Sequence, residues 1–123
     1  MKYNLEGKVF RSVSNTDNGE VGAETRFHYR QAGDVVTADY RGGRILAGHL
    51  IARVLAGGLL DMRYHHLNDQ GEFMLGTCLS TPQRLPDGRL RFTEQWRWLS
   101  GDMSAGSSEV EEVLPDGALE GTA

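Results

Sequence analysis

The chain has 123 residues, 39% of them hydrophobic and 24% charged, with a formal net charge of −4. That length suits one domain around a single core, and the apolar-to-charged balance excludes a largely disordered chain. A pI near 5.5 leaves no basic field to attract nucleic acid or an anionic membrane surface, so neither is an expected partner.

No apolar run reaches the length of a membrane-spanning helix, because the richest, 45–60, is broken by Gly48, His49, Arg53, Gly57 and Gly58. The lone cysteine, Cys78, cannot form an internal disulfide. The opening Met-Lys-Tyr-Asn-Leu-Glu-Gly lacks the apolar stretch of a secretory signal, so a reducing, cytoplasmic setting is expected.

Sixteen glycines, about twice the usual share, fall where turns between strands need them. Asn18-Gly19, Gly33-Asp34, Gly42-Gly43, Gly57-Gly58, Gly71, Asp87-Gly88 and Gly101-Asp102 punctuate runs rich in Val, Tyr, Phe, Trp and Thr. Strands are therefore expected over 8–14, 23–31, 35–41, 44–55, 59–68, 72–85, 89–99 and 104–114. The second alternates Phe27 and Tyr29 with Arg26, His28 and Arg30. The fifth alternates Leu60, Met62, Tyr64 and His66 with Asp61, Arg63 and His65. The seventh is clearest, with Leu90, Phe92, Glu94, Trp96 and Trp98 on one face and Arg91, Thr93, Gln95 and Arg97 on the other.

Segment 44–56 is ambiguous. Its Ala and Leu content also suits a short buried helix capped by Gly57, but Gly48 in its middle favours a strand. Either phase of that strand looks buryable, and His49 points inward on only one of them.

Connections this short leave no room for crossover helices, which makes consecutive strands antiparallel neighbours. About eight such strands lose their exposed edges if the sheet closes, so the expected fold is all-β: one antiparallel up-and-down β-barrel spanning 1–123. The pattern Leu-Pro-Asp-Gly-x-Leu occurs at 85–90 and again at 114–119. The tail, 115–123, is expected to fray or to pair with another chain.

The expected interior collects Phe27, Tyr29, Val36, Ala38, Tyr40, Met62, Tyr64, His66, Phe73, Leu75, Phe92, Glu94, Trp96 and Trp98. Glu94 is the informative member, since an unpaired charge on an apolar face is costly and desolvation raises a carboxyl toward the range of a general acid or base. Trp96 and Trp98 would wall a cavity or serve as core, and the tyrosines would bring hydroxyls into the same space. Cys78 reads as a small buried hydrophobe rather than a nucleophile.

No metal or cofactor is implied. His65 and His66 are adjacent and so face opposite sides of a strand, and His49, His66 and Glu94 have ligand chemistry without ligand spacing. The small polar run 100–108 lacks the lysine and spacing of a phosphate loop.

Phe27-His28-Tyr29, Gly48-His49-Leu50-Ile51, Arg63-Tyr64-His65-His66, Glu94-Gln95-Trp96-Arg97-Trp98 and Gly101-Asp102-Met103-Ser104-Ala105-Gly106-Ser107-Ser108 together resemble a family of short bacterial proteins. The resemblance covers roughly residues 8–112. Members of that family often carry the name N-acetylglutamate synthase, and the resemblance brings no assigned catalytic residues. In overall architecture the chain looks like the calycin group of lipocalin-like and avidin-like barrels.

The expected function is small-molecule binding, with Tyr29, His49, Tyr64, His66, Glu94, Trp96 and Trp98 around an amphipathic cavity. One alternative is an enzyme in which Glu94 or His66 moves a proton without metal or covalent chemistry. The other is a solid-core structural or interaction barrel that assembles into a homo-oligomer.

Overall fold

The computed structural model describes residues 1–114, so the second Leu-Pro-Asp-Gly-x-Leu pattern and the tail lie outside the described residues. Eight strands follow one another: β1 (Val9–Asn15), β2 (Arg26–Ala32), β3 (Val35–Gly42), β4 (Ile45–Val54), β5 (Leu60–Asn68), β6 (Phe73–Arg84), β7 (Leu90–Trp98) and β8 (Ala105–Val113). Each pairs antiparallel with the next, and β8 returns to pair with β1, which closes the barrel. Closure gives every strand among the described residues a paired neighbour on both sides, so the sheet has no edge strand.

Charge holds the closing strand β8 on both of its sides. Lys8 binds Glu112 at 2.8 Å, Arg91 Nε donates to Glu111 at 2.8 Å, and the Glu112 carboxylate also accepts from the Leu90 amide. These partners let a strand as rich in serine and glutamate as β8 complete the sheet.

Segment 45–54 is a strand, and a single 3₁₀ turn, Ala56–Gly58, leads out of it. Its phase follows neither simple alternation. The pairing register shifts between Ile45 and Ala47 on the β5 side and between Tyr40 and Gly42 on the β3 side. This bulge turns Ile45 inward, leaves Leu46 and Ala47 exposed, and then resumes with Leu50 and Ala52 inside. Gly48 is needed on that inner side because a Cβ there would come within 2.5 Å of the Tyr40 ring and 2.9 Å of the His66 Cβ.

On β6 the expected phase is reversed. Phe73 and Leu75 are 72% and 47% exposed, and Gly76, Cys78 and Ser80 face the interior instead. The physical reason is volume: Tyr64 and Trp98 pack edge to face at 5.8 Å from the two neighbouring strands, and only a glycine fits between them on β6. A Cβ at Gly76 would collide with the Tyr64 hydroxyl and approach the Arg97 carbonyl oxygen to 2.8 Å. Gly76→Ala is therefore expected to lower stability by about 1–3 kcal/mol in urea denaturation, the usual range for overpacking.

The two barrel ends differ. The end beneath the β2–β3 and β6–β7 turns is plugged by the segment before β1, whose Leu5 is fully buried and whose Tyr3 hydroxyl donates to the Gly58 carbonyl at 2.5 Å. There Phe92 packs on Tyr3 and on Phe10, with ring centroids 5.7 and 5.6 Å away. The opposite end is roofed by the connection between β1 and β2, residues 16–25, and beneath it the interior is unfilled.

Candidate functional site

Strict alternation along β7 turns Leu90, Phe92, Glu94, Trp96 and Trp98 inward. Phe92 goes to the plug, whereas Glu94 and the two tryptophans border a cavity of about 50 Å³ in the roofed half. Its other walls are Gly19, Glu20 and Val21 from the roof, then Asn15, Phe27, Tyr40, Leu50, Met62, Tyr64, His66, Cys78 and Ser108 from the strands. That volume holds a few waters, at roughly 10–15 Å³ each.

Glu94 is 9% exposed and sits between two serines. Ser80 donates to one carboxyl oxygen at 3.1 Å and Ser108 to the other at 3.0 Å, while Cys78 Sγ lies 3.5 Å behind Ser80 Oγ. With Ser80 spending its proton on Glu94, the thiol becomes the donor in that last contact. Burial pushes the Glu94 carboxyl up to about 7, and the two serine bonds restrain the rise. The surrounding Tyr29, Tyr40, Tyr64 and Cys78 are also held above their ordinary values by burial, so all stay neutral near pH 7.

Across the cavity a second polar chain ties the roof to the wall. His66 Nε2 lies 2.8 Å from Glu20, and Asn68 Nδ2 donates to the same carboxylate at 3.1 Å. A carboxylate only accepts, so Nε2 carries the hydrogen and Nδ1 accepts from the Tyr40 hydroxyl at 2.9 Å. Burial lowers the His66 pKa more than Glu20 raises it, which keeps the imidazole neutral in this tautomer.

The tryptophans also hold the roof. Trp96 Nε1 donates to Asn15 Oδ1 at 3.2 Å and Trp98 Nε1 to the Asn18 carbonyl at 3.1 Å. Asn18 in turn donates to Ser104 and Ala105 at the start of β8. Both indole donors are thus spent, one on the last residue of β1 and one on the β1–β2 connection, and both rings border the cavity.

Among the residues expected around a cavity, Tyr64, His66, Glu94, Trp96 and Trp98 come together as its walls. Tyr29 points inward but packs deeper, against Phe10 and Phe27. His49 lies outside: its side chain is 40% exposed and bonded to the surface carboxylate of Asp39 at 2.8 Å, because the β4 bulge puts Leu50 on the inner face in its place. Among the described residues no group of three His, Cys, Asp or Glu side chains is placed to hold a metal ion.

Sequence reasoning missed Ser80, Ser108 and Glu20. The serines were accessible in principle, since both share a strand face with buried neighbours, whereas nothing in the spacing of Glu20 announces that its loop folds over the barrel.

A family model described as avidin-like protein matches residues 3–113, which includes every strand and the roof. The chain belongs to the avidin-like family. No curated protein and no solved structure matches it. Within this avidin-like barrel the match spans both the aromatic plug and the cavity, so family membership accounts for the whole architecture rather than for one motif.

Proposed function

We propose that this avidin-like protein binds one small, partly polar molecule in the cavity under the β1–β2 connection, with Glu94 as the polar anchor. The observation that carries this reading is a buried carboxyl beside unfilled space, flanked by the rings of Tyr64, Trp96 and Trp98. A residue serving only as packing would not place an ionisable group at the edge of a void, where neither water in bulk nor a basic side chain compensates it. The modest volume favours a ligand of few atoms, or one that enlarges the space by displacing the roof residues Gly19, Glu20 and Val21.

The chain contains two tryptophans and both border the cavity, so intrinsic tryptophan emission reports on this site alone. A screen of small polar and aromatic fragments is expected to yield compounds that shift or quench this emission and raise the unfolding free energy. The gain is about 2.7 kcal/mol at a hundredfold excess over Kd. Native mass spectrometry of the same samples should show one bound molecule per chain. Emission, stability and mass that ignore every fragment would favour the solid-core reading instead.

A further inference from the structure

We infer that the molecule taken by this cavity is a small organic cation, a protonated primary amine or amidine on a short apolar body. The inference rests on the binding reading above and adds the ligand's charge. Three glutamates are buried among the described residues. Glu111 is paired with Arg89 and Arg91, and Glu112 with Lys8. Glu94 has no such partner. Only hydroxyls meet it, and no lysine or arginine borders the cavity it faces.

Each Glu94 oxygen accepts one serine hydrogen and retains capacity for another donor. Glu20, the other carboxylate at the cavity, is already committed to His66 and Asn68, with Arg44 3.6 Å away on its outer side. His66 supplies no cation, because its Nε2 hydrogen goes to Glu20 and its Nδ1 accepts from Tyr40.

The walls point the same way. Tyr64, Trp96 and Trp98 border the cavity, and aromatic rings of this kind offer a cation a favourable face that they do not offer an anion. An anionic ligand would set a second negative charge against Glu94 in a desolvated site, and a wholly apolar one would leave the free acceptor capacity unused. A body of few carbons follows from the cavity volume of about 50 Å³.

The test compares matched ligands on the unaltered protein: n-butylammonium against 1-butanol, with tryptophan emission and calorimetry as readouts, at pH 8 and pH 6. At pH 8 the ammonium is expected to bind at least tenfold more tightly than the alcohol. Its affinity should fall by several-fold at pH 6 as Glu94 takes up a proton, while the alcohol's stays level. The groups facing Glu94 from β2, β3, β5 and β6, namely Tyr29, Tyr40, Tyr64 and Cys78, are neutral at both pH values, and Glu20 and His66 lie across the cavity. Glu94→Gln should abolish both the preference and its pH dependence.

Equal affinity for the two ligands, or binding of neutral fragments but not of the ammonium, overturns the cation assignment and leaves the binding reading standing. Failure of these ligands and of every fragment overturns both. The matched pair needs no variant, so the outcome does not depend on how Glu94→Gln folds.

Discussion

Phe92→Ala is expected to lower the unfolding free energy by about 3–5 kcal/mol, the usual cost of deleting a buried aromatic ring. Phe92 is 1% exposed and sits where Tyr3 packs on it at 88° and Phe10 at 49°, so three rings from the N-terminal segment, β1 and β7 meet at one point. Removing the middle ring leaves a void that closed strands cannot collapse to fill, because β7 is hydrogen-bonded on both sides. Against a typical domain stability of about 5–15 kcal/mol this is a large fraction. Urea denaturation should show a lower midpoint at unchanged slope, with the emission maximum of Trp96 and Trp98 preserved in the folded variant. A loss under about 1 kcal/mol would show that the plug is not close-packed.

Glu94→Gln is expected to leave stability near that of the wild type at low pH and to raise it above the wild type at high pH. The folded protein holds the Glu94 carboxyl at about 7, against 4.5 for an unperturbed group. Between those values the native state keeps a proton that the unfolded chain has released. The stabilisation from this group is therefore complete below about pH 4.5 and is lost as pH rises through 7, a total of about 3 kcal/mol at 1.36 kcal/mol per pH unit.

Glutamine has no ionisation to oppose, so the variant should gain on the wild type by roughly that amount between pH 4 and pH 8. Its amide oxygen can accept from one serine while its amide hydrogens donate to the other, which preserves the local bonds. Denaturant titrations of both proteins at pH 4, 6 and 8 measure the effect, and a difference that stays constant with pH would mean that Glu94 is solvated. A saturating cation is expected to erase the variant's advantage at pH 8, because the ionised carboxylate then has a partner.

Much of the barrel is legible in the residues alone. Turn-forming glycines mark the joints, and two-residue alternation in β2, β5 and β7 sets which side chains share a face. The inward position of Glu94 follows from β7 by itself, since a strand cannot turn Phe92 and Trp96 to the core without turning the residue midway between them the same way. Those are local properties of an extended backbone, and they hold wherever the strand is placed.

Four features required the closed sheet. The bulge in β4 sends His49 to the surface, and the volume of Tyr64 and Trp98 admits glycine on β6 while driving Phe73 and Leu75 outward. The β1–β2 connection roofs the cavity through Glu20 and Asn18, and among the described residues no lysine or arginine borders the cavity at Glu94, while Glu111 and Glu112 receive theirs. Each depends on how much room neighbouring strands leave and on which distant groups closure brings within hydrogen-bond reach. Hydrophobicity read along one strand carries neither quantity, because both are set by the strands on either side of it.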